Sequence, residues 1–237
     1  MSVNATEALR NRAIRSFVIR ATRMSDAQKH AIETLMPRYG IAFAPQAENA
    51  RESTYGATYF GREAPLTIEI GFGMGVATIE MAARTPEKNF IGIEVHPPGV
   101  GNALKLIDAQ KLTNLRIIAH DAVEVLDHMI RSQTVDAFHI YFPDPWPKKR
   151  HHKRRLIQPE LVTKLSSRLK RGGYLHLATD WEEYAHWMLA VLTGEPTLRN
   201  TAGVGFAEKP AWRPTTKFES RGVKLGHGVW DLVFEKV

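Results

Sequence analysis

Five carboxylates stand where short apolar runs end: Glu69, Glu94, Asp121, Asp144 and Asp180. Each alone has an ordinary reading. Asp121 and Asp180 are followed three residues later by Glu124 and Glu183, the spacing of a helix cap. All five together draw negative charge to one edge of whatever fold carries them. The first leads straight into a glycine loop, Glu69-Ile70-Gly71-Phe72-Gly73-Met74-Gly75. A dinucleotide site spaces its glycines G-x-G-x-x-G and lays a pyrophosphate on the next helix N-terminus. Here the third glycine comes one residue early, and a carboxylate precedes the loop. That suits a ligand with positive charge and no phosphate. Glu94 is placed for the two hydroxyls of a ribose, and Asp121 for an adenine edge. S-adenosylmethionine has these parts: its amino acid goes to Glu69, its ribose to Glu94, its adenine near Asp121. Gly71, Gly73 and Gly75 admit it to the backbone.

The fourth acid sits in YFPDPWPKKRHHKRR, residues 141–155. Pro143 and Pro145 fix the backbone on both sides of Asp144 and remove two N–H donors, giving a stiff corner. A carboxylate held in this way can favour positive charge that develops beside it. Formal net charge is +7, and residues 148–155 alone carry six cations and no acid. A patch this dense attracts polyanions, nucleic acid before acidic membrane. Arg150, His151, His152, Lys153, Arg154 and Arg155 are expected to contact phosphates, which supply affinity and position rather than sequence reading. Adjacent His151 and His152 cannot easily share one ion, and there are no cysteines, so no metal is expected. Trp146 offers a face either for stacking on RNA or for packing under the corner.

The elements that must position these residues alternate. Strands are expected at 66–70, 90–94, 115–120, 135–142, 174–179 and 229–237, with helices at 76–84, 99–111, 121–131, 156–169 and 180–192. Ser25 and Gln28 open an earlier helix that Pro37 and Gly40 close. Residues 41–64 read as a linker, and 194–215 as an irregular excursion rich in glycine and proline. This is an α/β fold: a doubly wound, mostly parallel sheet of about seven strands whose ligands sit at the carboxyl ends. Residues 1–50 are expected to form an arm and helix, partly flexible, and 51–237 the catalytic domain. The 237 residues contain no apolar run near the ~20 needed to span a bilayer. A monomer in a reducing cytoplasm, without an obligate protein partner, is the expectation.

In order, EIGFGMG, GIEVHPPGVG, HDAVEVL, YFPDPWPKKRHHKRR, ATDW and TKFESRG resemble the bacterial tRNA (guanine-N7)-methyltransferase family, from about Phe60 onward. The resemblance implies a class I methyltransferase fold with an antiparallel C-terminal strand. It implies S-adenosylmethionine held by Glu69, Glu94, Asp121 and Asp144. For such a guanine target, the proline-locked Asp144 is the expected catalytic residue, favouring the charge that develops on the base, with Asp180 orienting it by accepting from N1–H and N2–H. The resemblance also implies substrate contacts at Lys148, Asp180, Thr216, Lys217, Phe218 and Glu219, and tRNA on residues 150–155. Two alternatives share the scaffold: a methyltransferase for an exocyclic amine, and an RNA-binding module with a dead cofactor site. A nicotinamide dehydrogenase ranks lowest, because Glu69 would repel a pyrophosphate.

Overall fold

Leu66–Ile70, a β-rich run bounded by Pro65 and the glycine loop, has no residue to spare for water. It becomes the central strand β1, buried along its whole length. The computed structural model describes residues 16–17, 23–45, 55–215, 219 and 228–237, so Thr216, Lys217 and Phe218 lie outside the described residues. The other strands are β2 Asn89–Ile93, β3 Leu115–Ile118, β4 Val135–Tyr141, β5 Leu169–Thr179, β6 Leu198–Asn200 and β7 Trp230–Lys236. They form one seven-stranded sheet in the order β3-β2-β1-β4-β5-β7-β6. All pairs are parallel except those of β7, which runs antiparallel between β5 and β6. The strand order reverses between β1 and β4, where such sheets bind ligands.

The helices are α1 Asp26–Tyr39, α2 Val76–Arg84, α3 Pro97–Ala109, α4 Ala122–His128, α5 Pro159–Arg168 and α6 Glu182–Thr193. Residues of α4, α5 and α6 bury Ile68, Ile91, Phe138, Ile140, Leu175 and Leu177. Residues of α1, α2 and α3 cluster with Phe90, Leu115 and Ile117. The capping box of Ser25 and Gln28 is present, and α1 runs through Pro37 to Tyr39 before Gly40 closes it. Tyr39 donates to Asp108 at 3.0 Å, Gln28 donates to the Pro98 carbonyl at 3.0 Å, and Ile41 N–H bonds the Ile117 carbonyl at 2.8 Å. Residues 26–41 are thus built into the core beside β3.

Three local expectations change. The helix foreseen over 156–169 starts only at Pro159, because Lys149–Arg154 winds as a 3-10 turn first. Gly172 and Gly173 do not end that helix; they lie in an irregularity at the start of β5, where the register against β4 shifts. The excursion 194–215 contains the edge strand β6.

One sheet face over β4, β5 and β7 is not aliphatic. It carries His139, Tyr141, Tyr174, His176 and Asp231. Trp212 Nε1 donates to His176 Nδ1 at 3.1 Å. An indole only donates, so Nδ1 is the acceptor and the His176 proton sits on Nε2, facing Asp231 Oδ1 at 2.7 Å. Arg213 grips both Asp231 oxygens at 2.7 and 2.9 Å. The excursion docks on the sheet through this polar face.

Candidate active site

Gly71, Gly73 and Gly75 all hold left-handed φ angles, of 74°, 58° and 78°. A side chain at Gly71 or Gly73 would meet no atom within 4 Å, so the backbone conformation demands glycine while the space above stays open. Gly99, in the first turn of α3, is required by proximity. A Cβ there would lie 2.1 Å from the Gly73 carbonyl oxygen. Glu94 fixes the loop from the other side: its Oε2 accepts from Gly73 N–H at 2.8 Å, and its Oε1 from Val95 and His96 N–H at 2.7 and 2.9 Å. Asp121 Oδ1 accepts from Val123 N–H at 2.8 Å, so it caps α4 as well as facing the cleft.

That cleft, of about 240 Å³, runs along the carboxyl edge of β1, β2 and β4. Gly71, Glu94, Asp121 and Asp144 all line it, with Ile70, Ile93, Tyr141 and Leu156 supplying apolar wall and Ser16 and Phe17 reaching its rim. Gly73 and Gly75 stand behind it: Gly73 holds Glu94, and Gly75 is the N-cap of α2 against Ala103. Glu69 departs from the expectation of a direct contact. It is only 3% exposed, does not line the cleft, and accepts from the Thr78 hydroxyl at 2.7 Å beneath the loop. Burial, and then the Glu94 charge, push its carboxyl up to about 7 against the pull of Thr78.

Asp144 is exposed and borders the same cleft from the corner after β4. On either side of it the chain takes a conformation that side chains disfavour: Phe142 has φ 51° and Trp146 φ 46°. Each costs about 1–2 kcal/mol and persists where the surroundings over-determine it. The surroundings are cationic. Arg213 lies over the Phe142 ring at 5.8 Å, and Arg154 over the Trp146 ring at 4.9 Å. Trp146 is half-buried, donates to the Ser16 carbonyl at 3.2 Å and meets His151 edge-on. In this arrangement it packs. Asp180, half-buried at the end of β5, does not cap the next helix, whose N-cap is Trp181.

Lys148, Arg150 and Lys153 are exposed on the 3-10 turn or beside it, with His151, His152 and Arg154 half-exposed. Arg155 is a correction. It is 2% exposed, and its Nε donates to the Pro145 carbonyl at 2.9 Å while Nη2 pairs with Glu183 at 3.1 Å. A guanidinium spent inside the fold is not offered to phosphates. Glu219 is likewise buried: Arg213 donates to its oxygens at 2.7 and 3.0 Å, and Lys209 at 2.9 Å. Burial raises its carboxyl, but the bonds from Arg213 and Lys209 outweigh that and hold it low. Reading the sequence did not single out Arg213, His176, Asp231 or Thr78. The spacing His139–Tyr141 and Tyr174–His176 was the available signal, since alternate residues of a strand share a face.

A glycine loop and three strand-end acids around one cleft at the reversal of a seven-stranded, mostly parallel sheet define a class I methyltransferase fold. The family model described as "Putative methyltransferase" matches residues 63–232. A tRNA (guanine-N(7)-)-methyltransferase of Paraburkholderia xenovorans is 58% identical over 97% of this chain and 86% of its own length. The protein of the same name from Cupriavidus necator is 60% identical over 95% and 84%. The chain belongs to the tRNA (guanine-N7)-methyltransferase family. Among solved structures, an antibiotic-related methyltransferase is similar with a TM-score of 0.53 at 15% identity, covering 76% of this chain and 91% of that one. The cyclase SpnF is similar with a TM-score of 0.52 at 12% identity, covering 89% and 93%. Those two share the fold and differ in reaction, so the site and the family carry the function, not the sheet.

Proposed function

We propose that the protein transfers the methyl group of S-adenosylmethionine to N7 of the variable-loop guanine of tRNA. One observation carries this beyond family membership: Asp144 borders the same cleft as Gly71, Glu94 and Asp121, and the basic turn follows it directly in the chain. The residues fit the cofactor. The open space over Gly71 and Gly73 admits a ligand to the backbone. Glu94 accepts three N–H bonds, and a carboxylate has about four acceptor sites, so it can still take a ribose hydroxyl. Asp121 faces the adenine end. Glu69 lies beneath the loop, and with its carboxyl pushed up to about 7 it lends only part of a negative charge to the ligand's positive end.

When bound, S-adenosylmethionine supplies a methyl group on a positively charged sulfur. Guanine N7 offers an in-plane lone pair and no proton, so the chain need not supply a base. It must hold N7 in line, and positioning of this kind is worth up to about 7–11 kcal/mol. The methylated base is a cation, and the Asp144 carboxylate favours that charge as it develops. Asp180 orients the guanine by accepting from N1–H and N2–H. Lys148, Arg150, His151, Lys153 and Arg154 hold the phosphates around it. Thr216, Lys217 and Phe218 complete the substrate side on the strength of the family pattern, with Glu219 anchoring them to Arg213. Among the described residues no helix is long and apolar enough to cross a membrane. A tRNA substrate fits a cytoplasmic enzyme, and the extensive core fits a monomer. Incubation with labelled S-adenosylmethionine and unmodified tRNA, followed by nucleoside mapping, tests the reading. Labelled 7-methylguanosine is expected; a methylated exocyclic amine would overturn it.

A further inference from the structure

A buried guanidinium must be partnered or lose more than it gains. Arg155 makes three hydrogen bonds, from Nε and Nη2. Its Nε donates to the Pro145 carbonyl at 2.9 Å, on the residue directly after Asp144. Its Nη2 donates to Glu183 Oε1 and to His152 Nε2, both at 3.1 Å. Its guanidinium carbon lies over the rings of Tyr184 at 5.0 Å and Trp187 at 5.8 Å. Glu183, Tyr184 and Trp187 all belong to α6, which begins just after Asp180. The same helix seizes the chain beyond Arg155: Tyr184 OH accepts from Ile157 N–H at 3.1 Å, and Trp187 donates to the Ile157 carbonyl at 2.7 Å.

The corner needs such a hold. Phe142 and Trp146 are both left-handed, and the rings of both lie under cations. Arg155 reaches the corner's backbone itself. One side chain therefore ties the turn that carries Asp144 to the helix that follows Asp180.

We propose that Arg155 is a positioning residue for methyl transfer, fixing the Asp144 corner against the first turn of α6, and that it does not bind RNA. The proposal rests on the function given above. A lysine keeps the charge but cannot fork between a carbonyl and a carboxylate, so the exchange is not conservative here. For Arg155→Lys, kcat should fall by about ten- to a hundred-fold, the scale of a misplacement of about 1 Å. The KM for tRNA and its salt dependence should stay as in the wild type. Arg154→Ala should do otherwise, raising KM and flattening the salt dependence. Affinity for S-adenosylmethionine, measured by calorimetry without turnover, should weaken in Arg155→Lys, because Asp144 forms part of the cleft wall. This arm decides the proposal even where tRNA proves the wrong substrate, and that outcome would fall on the functional reading alone. If Arg155→Lys does not fold, Glu183→Gln decides: a lower kcat at unchanged KM supports the tether, and wild-type kinetics overturn it. A raised KM and a flatter salt dependence with kcat retained in Arg155→Lys would also overturn it, making Arg155 a phosphate contact.

Discussion

At the scale of single residues, the site depends on carboxylates kept in different states by their surroundings. Glu69 is buried, and its carboxyl has moved from the usual 4.5 to about 7. The folded chain therefore holds this proton more tightly than the unfolded chain does. Stability from this group is full below about 4.5 and declines as pH rises through 7, by roughly 3 kcal/mol in all. Glu69→Gln should melt higher than the wild type at about pH 8, lose that advantage near pH 4, and bind S-adenosylmethionine more weakly; thermal melts across pH and calorimetry read both effects. Asp144 is exposed at its corner, and the proposed function gives it the chemistry. Asp144→Ala should abolish turnover while tRNA binding survives in a filter assay, and an equal loss of both would deny it the catalytic role. The positions of the acids were legible, since each closes an apolar run. Their depth was not. Glu69 lies beneath the loop because Thr78, nine residues on, takes its oxygen, and Arg155 turns inward toward Glu183, 28 residues away. A run of like charges gives no sign of which member will face inward.

At the scale of elements, the strands were legible because their apolar runs are largely buried on both faces, β1 and β2 along their whole length. Segments without period were harder. The 3-10 turn at 149–154, the irregular start of β5 and the short β6 follow from tertiary pairing, not local preference. The excursion over β4, β5 and β7 is held by buried charge. Burial raises the Asp231 carboxyl, but His176 and Arg213 outweigh it and hold it low, as Arg213 and Lys209 do for Glu219. Both acids therefore stabilise the dock above their unfolded values, and that stabilisation disappears as pH falls through the folded ones. Arg213→Met, which strands two buried carboxylates, should cost about 3–5 kcal/mol in denaturant melts and raise the KM for tRNA. Residues 26–41 are a second dependent element: the helix expected after Ser25 is present, and Ala31, Tyr39 and Ile41 lie in the core. A chain starting at residue 51 should lose cooperative unfolding, as read by calorimetry.

At the scale of the molecule, charge is divided by task. Acids surround the cleft, and the cations of 148–154 follow Asp144, one of those acids, in the chain. Replacing Arg150, Lys153 and Arg154 together by alanine should reduce the slope of log K against log salt by about 0.7–0.9 for each phosphate no longer neutralised. An unchanged slope would make the turn a solvated surface.

The acidic floor has a consequence for the company the cofactor keeps. A cell holds most of its adenosine as phosphates, far more abundant than any methyl donor. Glu94, Asp121 and Asp144 around the cleft oppose every one of those anions. The same adenosine with a positive tail meets attraction instead. Selection against the nucleotide pool is therefore built into the sign of the site, and ATP should compete poorly even at concentrations that would flood an electrically neutral cleft of the same shape.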